Sequence, residues 1–250
     1  MRSSFLRTLL AIVALLGLWE LGCAISGASP NTLPAPSDAW GALVDARDVL
    51  LPAAATTAIE AVLGLSVALA VGFAIGVLIA VARPARLALE PLLVVSQTIP
   101  VIALAPLLVT WLGFGIEPKI IVVTLIAVFP VIVAVATGVR QADEAVDELL
   151  RGAGAGRLRR LRLVELPAAV PALLSGARVS SLLAVPGAVA AELVGATDGL
   201  GRLLLIYDRD GRTTITFACV LLLAALGLAL WAIVSTVDAA LTRRGLIADR

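Results

Sequence analysis

The sequence predicts an all-α integral membrane protein of six transmembrane helices, and three observations carry that expectation. Of its 250 residues, 60% are hydrophobic and only 15% are charged, whereas soluble domains carry about 45–50% apolar and about 25% charged residues. The mean hydropathy is +1.06. A core of this length cannot hide such an excess, so the surplus apolar surface needs lipid. Second, the apolar residues gather into six stretches, each near the roughly 20 residues that cross about 30 Å of hydrocarbon. Third, the basic residues separate by side. With the N-terminus inside, fourteen of the nineteen fall on one face: Arg2, Arg7, Arg83, Arg86, Arg178, Arg243, Arg244, Arg250 and the six from Arg140 to Arg162. Arg47, Lys119, Arg202, Arg209 and Arg212 fall on the other. Basic residues that flank membrane helices stay cytoplasmic, so six helices with both termini in the cytoplasm is the consistent count.

The first stretch runs from about Phe5 to Ile25. Arg2 and Arg7 ahead of it resemble a signal peptide, but the later apolar segments favour a retained first helix. Glu20 makes a lipoprotein site at Cys23 a poor match. A polar stretch with Pro30, Pro34, Pro36 and Asp38 follows, then an amphipathic piece from Trp40 to Leu51. The second helix is expected over Ala53–Val81 and the third over Leu87–Leu112, with Pro91, Pro100 and Pro106 in or near it. The fourth covers Ile120–Val139, the fifth Ala168–Val194 and the sixth Thr214–Leu241. Residues 1–52 form an N-terminal unit of one membrane helix and an outer amphipathic segment; residues 53–250 form the main membrane domain.

Several functions are excluded early. Histidine is absent and only Cys23 and Cys219 occur, which removes histidine catalysis and Cys/His metal clusters. Both cysteines lie in apolar stretches, as small buried side chains do. No basic run interleaved with aromatics suggests nucleic acid.

The longest inner loop, DEAVDELLRGAGAGRLRRLRLVELP, spans residues 143–167. Asp143 and Glu144 suit a helix N-terminus, and Val146, Leu149 and Leu150 form one apolar stripe. Gly152, Gly154 and Gly156 then interrupt the helix, since glycine costs about 1 kcal/mol in helix interiors. A second helical piece carries Leu158 and Leu161 among arginines, and Pro167 stands where the fifth membrane helix should open. An exposed apolar stripe needs a partner; an interfacial helix held to anionic lipid by its arginines is the other reading.

Here the chain resembles the binding-protein-dependent ABC importer permeases, whose cytoplasmic motif reads Glu-Ala-Ala, three residues, Gly, nine residues, Ile, one residue, Leu-Pro. Glu148, Gly154, Val164, Leu166 and Pro167 fall at that spacing, with Leu149-Leu150 in place of Ala-Ala and Val164 in place of Ile. The resemblance implies a type I ABC importer permease fold over roughly Thr56 to Arg244. It also implies that this segment is a coupling helix docking into a cytoplasmic ATP-binding subunit. Glu148 would anchor the entry and Gly154 would give the bend and close approach. The glycine run lacks the G-x-x-x-x-G-K-[ST] arrangement and no strand precedes it. No cofactor is therefore expected on this chain; ATP and Mg²⁺ belong to the partner ATPase.

Polar groups within a membrane segment are candidates for the solute path. Ser96-Gln97-Thr98-Ile99-Pro100 places Gln97, Thr98 and Pro100 at a proline that frees a backbone carbonyl. They either line the path or form a kink whose Ser and Thr satisfy the backbone. Glu192 is a path or partner-contact candidate, or a carboxylate reaching the interface; Glu60 and Arg178 are similar cases, and a paired Arg178 is expected. Ser180 and Ser181 suit helix packing.

Within the family, LPAPSDAW (33–40), APLLVTWLGFGIEPK (105–119) and ELVGATDGLG (192–201) are similar to the nitrate/sulfonate/taurine group. SQTIPVIALAP (96–106) looks most like permeases for the pyrimidine precursor of thiamine or related heterocycles. The resemblance implies alternating access by two permease copies, two ATP-binding subunits and an extracytoplasmic binding protein, in the bacterial inner membrane. The competing class is a stand-alone ion-coupled carrier, which often shows inverted repeats; no such repeat stands out.

Overall fold

The computed structural model describes residues 2–27, 29–141 and 144–243; the side chains of residues 2–9, 12, 144, 145, 147 and 148 lie outside that description. Its elements are α1 (Arg2–Ser26), α2 (Pro36–Asp45), α3 (Arg47–Val81), α4 (Arg83–Thr98), α5 (Val101–Leu112), α6 (Glu117–Arg140), α7 (Glu144–Gly152), α8 (Arg157–Arg160), α9 (Leu166–Glu192), α10 (Leu200–Arg209) and α11 (Thr213–Arg243). A π-helical turn, Leu161–Glu165, joins α8 to α9. Among the described residues, α3, α6, the continuous Arg157–Glu192 rod and α11 are each long and apolar enough to cross a bilayer. The bent pair α4–α5 makes a fifth span. α1, with 25 residues, reaches about 37 Å at 1.5 Å per residue, the length of the expected first span.

Four expectations are corrected. The third helix is not one rod: α4 and α5 meet at 94°. Pro100 disfavours the helical region for the residue before it, and Ile99 is extended at φ −86°, ψ 122°. Pro167 does not open the fifth helix, because the rod already begins at Arg157. Proline cannot donate to the carbonyl four residues back, and the π-turn absorbs the defect, with Leu166 N–H reaching the Leu161 carbonyl. The amphipathic piece expected from Trp40 to Leu51 is divided: α2 ends at Asp45, and Arg47 to Leu51 are the first turns of α3, which runs on through Pro52. Finally, α10 had no counterpart among the expected elements.

Small residues decide how the spans pack. Gly64, Gly72 and Gly76 of α3 face Val123, Val131 and Val135 of α6, so the two helices run parallel in one register. A Cβ built on Gly64 would stand 2.4 Å from Val123 Cβ, and one on Gly72 would stand 2.7 Å from Val131 Cβ. α9 crosses the same helix in the opposite sense: Gly176 lies against Val131 and Ala134, and Gly187 against Val123. Lipid tails are as apolar as leucine, so close backbone approach and hydrogen bonds across helices replace hydrophobic driving force. Both are present. Ser180 Oγ donates to the Ala127 carbonyl at 2.6 Å, and Thr124 Oγ1 to the Gly64 carbonyl at 3.2 Å. The resulting core joins Ala61, Leu65 and Ala68 to Val123, Ala127 and Ala184. A second cluster, with Leu50, Ala53, Leu200, Ala218 and Cys219, ties α10 and α11 to the start of α3.

Replacing Gly72 by leucine should destabilise the bundle by at least the ~1–3 kcal/mol typical of overpacking. The check is the thermal unfolding midpoint of detergent-solubilised protein, and an unchanged midpoint would refute the close-packed α3–α6 seam.

Candidate coupling segment and solute path

The segment between α6 and α9 is shaped by its glycines. α7 ends in a left-handed residue, Gly154 at φ +74°. The Ala155 N–H donates to the Leu150 carbonyl at 2.9 Å, and the Gly154 N–H to the Arg151 carbonyl at 3.0 Å. This is a Schellman turn, which glycine enters without the Cβ penalty. Among the described residues beyond its chain neighbours, no atom lies within 4 Å of where a Gly154 Cβ would stand, so there the glycine serves conformation, not space. After the turn, the Arg157 guanidinium donates to the Val81 carbonyl and fastens the segment to the end of α3. Arg140 joins α6 to α4 through Glu90 at 3.1 Å.

The expected coupling residues divide into two groups. Leu149 is 73% exposed and Val146 40% exposed, so α7 presents an apolar edge outward. Leu150 is half-buried. Val164 turns into the bundle at 8% exposure, while half-buried Leu166 and exposed Pro167 belong to the base of α9. Asp143 and the Glu148 side chain lie outside the described residues.

At the α4–α5 bend, Ser96 Oγ and Thr98 Oγ1 each donate to the carbonyl three residues back, on Leu93 and Val95, both at 2.7 Å. Those hydroxyls satisfy backbone groups at the break. Gln97 is exposed, and its amide makes a 3.4 Å bond to Ser96 Oγ. Gln97, Thr98 and Pro100 thus lie on one exposed corner of the bundle.

Glu192 lies elsewhere, in a buried polar cluster at the end of the bundle opposite α7. Its carboxylate is 1% exposed. Oε1 accepts from Thr57 Oγ1 at 2.7 Å, and Oε2 from the Gly201 amide at 2.5 Å. The Leu200 amide donates to Thr57 Oγ1 at 2.9 Å. Beside it, Glu60 and Lys119 form an ion pair at 2.5 Å, both nearly fully buried. Thr57, Gly199 and Gly201 escaped sequence reasoning; the one signal was the pair of glycines closing the ELVGATDGLG stretch. Arg178 is paired, as expected, with Asp238 of α11.

A bundle of this kind, with a bent helix pair among its spans and a short helix with an exposed apolar edge between two of them, is that of a multi-pass membrane protein. The chain belongs to the binding-protein-dependent transport system inner membrane component family, which matches residues 72–244. It is 34% identical to a "Probable ABC transporter permease protein" of Haemophilus influenzae, covering 92% of this chain and 94% of that one. It is 33% identical to the "Formylaminopyrimidine transport permease protein ThiX" of Halalkalibacterium halodurans, covering 89% of each. The "Putative aliphatic sulfonates transport permease protein SsuC" of Bacillus subtilis is 28% identical over 90% of this chain and 83% of that one. In fold, the chain matches an inward-facing structure of the MetNI methionine ABC transporter with TM-score 0.67, 23% identity, and coverage of 77% and 95%.

The chain is therefore the permease subunit of a binding-protein-dependent ABC importer, a multi-pass membrane protein. Its ATPase activity resides on a separate subunit, and its solute arrives on a binding protein. Membership decides between the two expected transporter classes in favour of the importer.

Two outcomes check the geometry. Gly154→Ala should loosen the Schellman turn by the ~1–2 kcal/mol that a Cβ costs in the left-handed region, while Gly154→Asn should cost less; amide exchange at Ala155 reads both. Lys119→Met should lower stability by about 3 kcal/mol by leaving a buried carboxylate unpaired. Adding Glu60→Leu should recover most of that loss in thermal unfolding.

Proposed function

We propose that two copies of this chain form the import path for a small polar heterocycle of the formylaminopyrimidine kind, with nitrate, sulfonate or taurine as the next candidates. The observation that carries the solute is the 33% identity to ThiX along 89% of both chains, and the SQTIP corner at the α4–α5 bend agrees with it. Gln97, Thr98, Pro100 and Glu192 are assigned to the solute path. Gln97 is the group at the bend with unspent hydrogen-bonding capacity; Glu192 acts from its buried position.

The same reading assigns coupling to the α7 segment. Val146 and Leu149 form the exposed apolar edge that a cleft on the ATP-binding subunit would cover. Gly154 lets the chain turn back immediately beyond it, and Glu148, Leu150, Val164, Leu166 and Pro167 frame the contact. ATP and Mg²⁺ bind on that partner. One chain supplies one such segment, so an ATPase pair calls for two permease copies, most simply as a homodimer. The α7 end and both termini are cytoplasmic in the bacterial inner membrane, and the α10 end faces outward, a reading that the arginine asymmetry supports. Residues 1–52 are divided from the transport domain at 53–250 within α3, whose first turns (Arg47–Leu51) already pack with that domain, so the N-terminal addition proper is α1 and α2.

Proteoliposomes holding the permease with its cognate ATPase and binding protein should take up labelled formylaminopyrimidine when ATP is enclosed. Uptake of taurine or nitrate instead would replace the solute and leave the importer intact. Leu149→Asp should abolish copurification with the ATP-binding subunit without preventing membrane insertion. Normal copurification would return α7 to the role of an interfacial helix.

A further inference from the structure

The buried cluster at the α10 end is more specific than burial alone demands. Thr57 Oγ1 has one proton and two acceptors in reach, the Ala53 carbonyl at 3.1 Å and Glu192 Oε1 at 2.7 Å; the carboxyl contact is the shorter. The same oxygen accepts from Leu200 N, and Glu192 Oε2 accepts from Gly201 N. The first two amides of α10 are thereby capped by side chains from α3 and α9. Such amides have no partner inside their own helix. Gly199 takes φ +116°, and a Cβ there would stand 2.1 Å from Glu192 Oε1. On Gly201 it would stand 2.7 Å from Oε2. Both glycines stand where the carboxylate must fit.

We propose that Thr57 and Glu192 are positioning residues for solute delivery: their clasp holds α10 against α3 and α9 at the end of the bundle that receives the binding protein. The far end of α10 and the turn after it carry Asp208, Arg209, Asp210 and Arg212, all exposed, with the Arg212 guanidinium 5.0 Å from the Tyr207 ring centre. Mixed charge at the tip of a helix fixed at its root is a surface for a soluble partner. Fixing the root removes the ordering cost that binding would otherwise incur. The inference rests on the orientation given above.

The test uses the complete permease–ATPase complex in proteoliposomes. ATPase activity is measured against rising concentrations of the cognate binding protein, purified with its endogenous solute. Thr57→Val keeps the shape and loses the hydroxyl. It should raise the half-stimulating concentration about tenfold, leave basal ATPase unchanged, and be restored by Thr57→Ser. An unchanged curve for Thr57→Val overturns the proposal. So does a fall in basal and stimulated activity by one factor at constant half-stimulating concentration, which marks a purely structural role. Arg209→Cys, on a background whose own cysteines are buried, tests the orientation separately. Labelling by an impermeant maleimide in right-side-out vesicles supports it, and labelling only in inverted vesicles overturns both the orientation and the proposal.

Discussion

The close approach of α3 and α9 to α6 is the constraint on which the rest of the molecule depends. In lipid, helices gain little from hiding apolar side chains from one another, so their association rests on contact and hydrogen bonding. Gly64, Gly72 and Gly76 bring α3 against the valines of α6, and Gly176 and Gly187 bring α9 against the other side. At that separation short side chains reach a neighbouring backbone, which is why Ser180 and Thr124 bond to carbonyls of other helices. It also places Thr57 of α3, Lys119 of α6 and Glu192 of α9 within reach of one buried cluster. A wider bundle would leave the Glu60–Lys119 pair open, at a cost of several kcal/mol.

Broken backbone is the second theme, and the molecule handles it in two ways. At Ile99–Pro100 the chain turns by 94°, and the hydroxyls of Ser96 and Thr98 bond to carbonyls just before the break. At Pro167 the helix does not break; five residues of wider π-turn carry it through. Backbone groups in a bilayer must be satisfied internally, so each proline needs a local remedy. The remedy chosen decides whether the chain bends into a corner or stays a rod. The corner presents polar side chains on the outside of the bundle, while the rod keeps the residues after the α7 segment in line with the spanning helix.

The spans were legible because a long apolar run needs no partner to be recognised, and the arginine asymmetry ordered them. The glycine at 154 was legible as an interruption, and the structure gives it the left-handed turn that only a backbone description could supply. Legibility failed where the decisive contacts are distant in sequence. Thr57 and Glu192 are 135 residues apart and Thr57 and Leu200 are 143 apart, so neither periodicity nor spacing pointed to the clasp. A short amphipathic helix such as α10 carries no membrane signal, and it exists here because its first amides are capped from outside. The continuity of α9 was hidden for the opposite reason. A proline between a charged loop and an apolar run reads as a start, and only the π-turn reveals that it is an interior position.

That continuity links the two ends of the molecule. From Arg157, tied to the end of α3 by its guanidinium, to Glu192 in the buried clasp, the chain is one helical rod of 36 residues, about 54 Å at 1.5 Å per residue. Its base follows the Schellman turn of the α7 segment and its tip caps α10 with a side chain. The same two helices, α3 and α9, are therefore joined at both ends of the bundle by polar contacts, and between those ends each packs its glycines on α6. The pair thus forms one unit, held at both ends. The paired Arg178 and Asp238 extend that unit to α11, which otherwise buries only Ala218 and Cys219 among its described residues. On the proposed roles, a partner on the α7 segment and one on α10 would thus act on a single body.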